Sequence, residues 1–418
     1  MRKKTFYIIC WTLGALIPIV NAQPAFRTET LDNHIQTLRV SEAGQWDSAP
    51  VIDLNSDKQI EILFDALGAS PGHYTYRILH CNADWTPSQL TEGEYLSGLQ
   101  NHLVDDYASS FNTRMDYINY RLLLPNEDVN FKVSGNYVVQ IISGETGKAV
   151  VNACFSLIEP QASIRMYVSA ITDKGSNSKY QAVSFEAGYG NDIKTPVQEL
   201  KVYVQQNNRF DNAAVNVKPL NVQNRKALYD HRPALIFEAG NEYRSFEMTT
   251  TRYAGLNIES VEYYSPYYHS ILRPDPIRSN RAYSFYEDIN GRVVIRNNET
   301  DDPNTGADYQ FVHFYLPCEK PFSENVYILS EAFHNLLDAR SQMEYSERDK
   351  GYLKTALLKE GYYNYMYVTQ KEASAPASTA SIEGNYYQTE NEYRVMIYAR
   401  TMGMRYDKLI GVQTIRFK

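Results

Sequence analysis

The residues best suited to chemistry are eight histidines, four cysteines and a scatter of carboxylates. No two histidines lie within four residues of each other, so a His-Glu metal motif does not form. His80-Cys81 comes nearest to a catalytic dyad. Neighbouring residues on a strand point to opposite faces, so neither can activate the other there. Asp301, Asp302, Asn304 and Asp308 cluster around Pro303 and Gly306. Oxygen ligands in a turn can hold calcium, but the EF-hand spacing and its closing Glu are absent, which favours a solvated acidic turn. A nucleophile elbow and a phosphate-binding Gly loop are also missing. The reading assigns no catalytic residue, cofactor or metal.

Tyrosine is the conspicuous residue type, with 35 in 418. Tyr suits strands, and its apolar ring with a polar tip suits wet interfaces. Tyr263, Tyr264, Tyr267 and Tyr268 flank a Ser-Pro turn, and Tyr362, Tyr363, Tyr365 and Tyr367 form a second set. Either set can be an exposed row that binds sugars or proteins, or the buried face of an ordinary strand.

The elements that would carry these residues are short strands separated by Gly, Asn, Asp and Pro clusters. Ile60–Phe64, Tyr74–Leu79, Tyr117–Leu124, Tyr137–Ile142 and Val150–Leu157 predict one β-sandwich up to Glu159-Pro160. A second set runs from Ile164 to Tyr264, ending near Arg273-Pro274-Asp275-Pro276. A third runs from Val293 to Ala399. The fold expected is therefore all-β, with consecutive sandwiches over 24–159, 160–276 and 277–418. Thr91 to Ser110 reads as a long loop with room for a helical turn. Ala373 to Ser381, rich in Ala and Ser, reads as mobile.

The start of the chain suggests export. Arg2, Lys3 and Lys4 precede an apolar run from Phe6 to Val20 and a small-residue exit at Ala22-Gln23, the layout of a cleaved signal peptide over 1–23. Cys10 lies inside the apolar run rather than at the cleavage point, which argues against a lipid anchor. The chain holds 41 Lys+Arg and 49 Asp+Glu, and losing the three basic residues at the start leaves 38 − 49 = −11. Such a balance disfavours nucleic acid and anionic lipid as partners. Of Cys81, Cys154 and Cys318, the first two could pair in an oxidising compartment, or all three could be buried thiols.

The stretch Ile78-Leu79-His80-Cys81-Asn82-Ala83-Asp84-Trp85 resembles the plug-protein family of the Bacteroidota type IX secretion system. Ordered pieces extend the likeness: Leu124-Pro125-Asn126-Glu127-Asp128, Ser134-Gly135-Asn136-Tyr137, Gly240 to Arg244, Tyr286 to Gly291, Asp308-Tyr309, Lys359 to Tyr365 and Tyr406 to Val412. The resemblance implies a periplasmic stopper for a large outer-membrane translocon barrel, bound to it by protein–protein contact and not itself inserted in the membrane. His80, Cys81, Asn82, Asp84, Trp85, Asn126, Glu127 and Asp128 are then expected to be structural, with Trp85 in the first core and Asp84 fixing a turn. The last block is also similar to E-set and starch-binding sandwiches through Val326 to Leu329 and Gly361 to Tyr365. Ser330 stands where those modules carry Gly, and no Trp follows Trp85. A carbohydrate-binding protein of a surface glycan system is the rival reading.

Overall fold

The computed structural model describes residues 25–418; the expected signal peptide and Cys10 lie outside them. The architecture is all-β, as expected, in the form of three two-sheet sandwiches.

In the first sandwich one sheet orders Glu29–Thr30, Ala149–Ile158, Gly135–Ser143, Tyr74–Cys81 and His102–Leu103. The other orders Ile35–Glu42, Ile60–Leu67, Tyr117–Leu124 and Asp106–Ser109. Alternation drives this packing: Ile60, Ile62, Phe64 and Ala66 point inward against Tyr120, Tyr137 and Phe155. The region expected to be a loop after Thr91 contains the short helix Glu92–Tyr95, closed by a Thr91–Glu94 capping box.

In the second sandwich Ser163–Ser169, Tyr180–Gly188, Lys226–Tyr229 and Asn221–Gln223 form one sheet. The opposing sheet is Ala214–Val215, Leu200–Gln206, Asn391–Ala399 and Lys408–Phe417. Phe185 stacks on Tyr229 in its core at 4.4 Å. The third sandwich joins Arg244–Met248, Gly361–Gln370 and Val293–Ile295, with Asn325–Leu329, to a five-stranded sheet. That sheet orders Ile258–Tyr264, Tyr267–Leu272, Tyr309–Pro317, Gly351–Lys359 and Glu344–Ser346.

This pairing corrects the expected boundary at 276/277. Strands from Arg244 to Leu272 belong to the third sandwich, and the strands after Asn391 return to the second. The third sandwich is thus inserted within the second. The physical reason is that periodicity reports which face of a strand is buried but not which strand it pairs with. Leu200–Gln206 needs the distant Asn391–Ala399 as its neighbour, and their register runs from Leu200↔Ala399 to Gln206↔Tyr393.

The Ala/Ser-rich stretch 373–381 is docked, not loose. The Ala377 amide donates to Asp211 Oδ2 at 2.9 Å, its carbonyl accepts from Arg209 at 2.9 Å, and Thr379 is buried. Among the described residues no helix is long and apolar enough to cross a membrane.

Candidate functional site

Several residues of the ordered motifs, among them His80, Ala83, Asn136, Lys359 and Asp407, meet in buried joints between the sandwiches. The first joint lies where the Tyr74–Cys81 strand ends. Asn82 to Thr86 makes a tight turn in which Trp85 N–H donates to Asn82 O at 2.9 Å, and Asp84 Oδ1 accepts from Thr86 N (3.1 Å) and Oγ1 (2.6 Å). The turn leaves the Ala83 amide pointing outward, where it donates to Asp407 Oδ2 of the second sandwich at 3.0 Å. Asp407 is wholly buried and pairs with Lys201 at 2.9 Å and Arg400 at 2.8 Å. Beside it, Asn136 Nδ2 donates to Asn82 O at 3.0 Å, while Asn136 Oδ1 accepts from Tyr398 at 2.8 Å.

His80 sits in the same joint, edge-on to Tyr137 (4.9 Å) and to Tyr406 of the second sandwich (5.3 Å). Burial pushes its pKa down to about 4, so the ring is neutral and Nε2 faces Ser134 O at 3.3 Å. Gly135 has φ +138°, and a Cβ there would stand 2.6 Å from His80 Nε2 and 3.1 Å from Asp407 O, so the close approach requires glycine. Cys81 faces the other way, into a cluster with Val138 and Cys154. Burial raises the Cys81 thiol to about 12 and Cys154 well above its ordinary value, and all three described cysteines are free. A neutral imidazole and a protonated thiol on opposite faces do not make a nucleophile.

Trp85 departs from expectation. It is half-buried outside the main core, packs beside Cys81 and Cys154, and lines a cavity of about 140 Å³ where the three sandwiches meet. Trp85 lies past the end of the Tyr74–Cys81 strand, in a turn where its φ is +62°. Asn126, Glu127 and Asp128 form a separate turn. Asn126 Oδ1 accepts from Asp128 N (3.1 Å) and Val129 N (2.9 Å), and Asn126 Nδ2 donates to Tyr76 (3.0 Å). Glu127 and Asp128 are exposed.

The second joint ties the first sandwich to the third. Asp65 Oδ2 accepts from Lys359 Nζ and from Tyr309 Oη, each at 2.6 Å, and Oδ1 accepts from Asn119 at 2.7 Å. The Lys359 ammonium lies 4.0 Å from the Tyr117 ring centre, a cation–π contact. Burial pulls the Lys359 pKa down to about 8 against the opposing pull of Asp65. The acidic turn is divided between jobs. Asp302 caps the short helix Pro303–Gly306, and Asp308 accepts the Arg114 and Met115 amides at 2.7 and 3.1 Å.

The third joint anchors the inserted sandwich. Arg244 meets Glu383 through Nε at 2.9 Å and a terminal nitrogen at 3.0 Å, and Arg278 adds a bond at 2.7 Å. Burial alone would raise the Glu383 pKa, but the two guanidiniums hold it down at about 2. Arg292 bonds Glu392 of the second sandwich at 2.8 Å. Gly291 (φ +82°) lets Tyr243 lie against it, since a Cβ would fall 2.6 Å from that ring. Ser330 is buried and donates to Asn364 O at 2.7 Å.

The two tyrosine sets differ in their cover, with Tyr267, Tyr268 and Tyr362 half-buried. Tyr363, Tyr365 and Tyr367 are core residues, whereas Tyr263 and Tyr264 are 50% and 58% exposed. Sequence reasoning missed Asp65, Lys201 and Arg400 altogether. The available signal was weak: Asp65 is one acid within the apolar run Ile60 to Leu67.

Comparison with known proteins agrees with the motif reading. Residues 35–159 match the type 9 secretion system plug protein 1st domain. A hypothetical protein from Parabacteroides merdae, known as a crystal structure, is 44% identical with a TM-score of 0.93, over 94% of this chain and 100% of that one. The C-terminal domain of the Streptococcus pyogenes antigen I/II-family protein AspA, at 9% identity and a TM-score of 0.17, carries no argument. No curated protein matches the chain. With its first sandwich matched by that model, the protein belongs to the type 9 secretion system plug family.

Proposed function

We propose that the chain is a periplasmic, non-catalytic stopper that closes the mouth of the type IX outer-membrane translocon barrel between transport events. A wide aqueous channel leaks solutes unless a body of fixed shape fills or covers its opening. Three sandwiches on flexible linkers would leave gaps as they moved. The observation that carries the reading is that buried polar contacts, some made by motif residues such as Ala83, Asp407 and Lys359, tie the sandwiches to one another. Asp407 on Ala83, Lys359 on Asp65 and Arg292 on Glu392 each cross from one sandwich to another. Buried, paired polar groups of this kind favour one arrangement over its alternatives. A seal of this kind is expected to bury more than about 1,200 Å² in total against the barrel. Purification of the native translocon tests the reading. The chain should accompany barrels that carry no cargo and be absent from barrels engaged with it. Equal recovery in both states, or in neither, contradicts it.

A further inference from the structure

The outward face of the five-stranded sheet in the third sandwich is only half covered. Tyr309 and Lys359 oppose each other on two of its strands, and both are buried against Asp65 and Tyr117 of the first sandwich. Further along the same strands the outward positions are only partly covered: His269, Phe311, His313 and Tyr315 are half-buried, and Leu353 and Thr355 are exposed. His269 opposes Phe311, and Tyr315 opposes Leu353.

These side chains form one contiguous surface. His269 stacks on Phe311 at 5.1 Å and on His313 at 5.1 Å, and Tyr264 meets His269 edge-on at 5.1 Å. The hairpin bearing Tyr264 is steadied from the first sandwich, because the Arg114 guanidinium lies 5.9 Å from the neighbouring Tyr263 ring. Ring surfaces held in place before binding lose little conformational entropy on contact.

The polar groups of this face are directed at one another. His269 Nδ1 and His313 Nε2 share a hydrogen bond of 2.8 Å, His313 Nδ1 and Thr355 Oγ1 another of 3.0 Å, and Tyr264 donates to Glu262. A sugar needs free donors and acceptors beside the ring. This face offers ring and aliphatic surface whose polar atoms are largely engaged, which matches the aromatic-rich core of a protein interface. It also continues, strand for strand, a face that already buries protein.

The geometry points to the partly covered rows around His269, Phe311 and Leu353 as the surface that docks on the translocon, through an apolar, aromatic-bearing patch of that protein. This rests on the stopper reading above. The test uses the full chain, tagged and expressed in its native host, with recovery of the translocon measured for wild type, Phe311→Asp and Leu353→Asp. Leu353 is 37% exposed, so Leu353→Asp is expected to keep the wild-type melting temperature. Ile171→Asp, on the second sandwich and 69% exposed, is the distant control. Recovery should fall about tenfold or more for both face variants, the size of a hot-spot loss, and stay unchanged for the control. Wild-type recovery of the translocon with no loss in either face variant overturns the surface and leaves the stopper reading standing. Failure of the wild-type chain itself to recover the translocon overturns both. Retention of wild type on a polysaccharide gel, abolished by Leu353→Asp, makes a glycan the occupant and overturns the protein assignment.

Discussion

Lys359 and Asp65 come from different sandwiches, lie 2.6 Å apart, and are both completely removed from solvent. Such a pair is weak evidence for stability in itself, because desolvation offsets much of its attraction. Its effect is conditional: with one partner gone, the other is a buried charge without its counter-ion. Lys359→Met should therefore cost about 3–5 kcal/mol. The double variant Asp65→Asn/Lys359→Met should recover a large part of that loss. Denaturant unfolding of the three proteins checks this, and equal losses in the single and double variants would show that the charge is not what matters.

His80 gives the first joint a pH dependence of known sign. The unfolded ring takes a proton near its ordinary value of 6.5, while the buried ring resists until about 4. Between these values the unfolded chain binds more protons, so stability falls as pH falls from 6.5 towards 4. Glu242 and Glu360, both raised to about 7 by burial, act in the opposite direction over neutral to mildly acid pH. Comparing wild type with His80→Gln cancels them. The stability advantage of wild type should be flat above pH 6.5 and shrink by about 3 kcal/mol on the way to pH 4, given ~1.4 kcal/mol per unit. A constant difference across that range would place the ring in a solvated site.

Trp85 tests the left-handed turn. Its φ of +62° is strained for any side chain and free for glycine. Trp85→Ala should cost less than the roughly 3–5 kcal/mol of a core aromatic, since the ring is only half-buried. Trp85→Gly should be more stable than Trp85→Ala by about 1 kcal/mol, the reverse of the usual order. Thermal melts of the two variants decide it. The usual order would mean that the turn relaxes when the ring is removed.

Strand faces were legible in the sequence because alternation is local. Tyr117–Leu124 has the ends that its pattern predicts. Partners were not legible, because a pairing such as Leu200 with Ala399 leaves no trace in either segment. The same limit applies to the joints. His80 to Trp85 and Tyr406 to Val412 stand out as motifs, yet nothing in either shows that Asp407 binds the Ala83 amide. Trp85 was misplaced because a positive φ on a large residue is a tertiary outcome that composition does not report. The two tyrosine sets, ambiguous as sequence, were separated only by what covers each strand.

The most direct test of the stopper is the permeability of the outer membrane. A strain lacking this chain but retaining the barrel should keep some secretion and admit a large hydrophilic antibiotic that intact cells exclude. A strain lacking both chain and barrel should exclude it again. Unchanged antibiotic sensitivity in the single deletion, with the barrel present and assembled, would contradict the account.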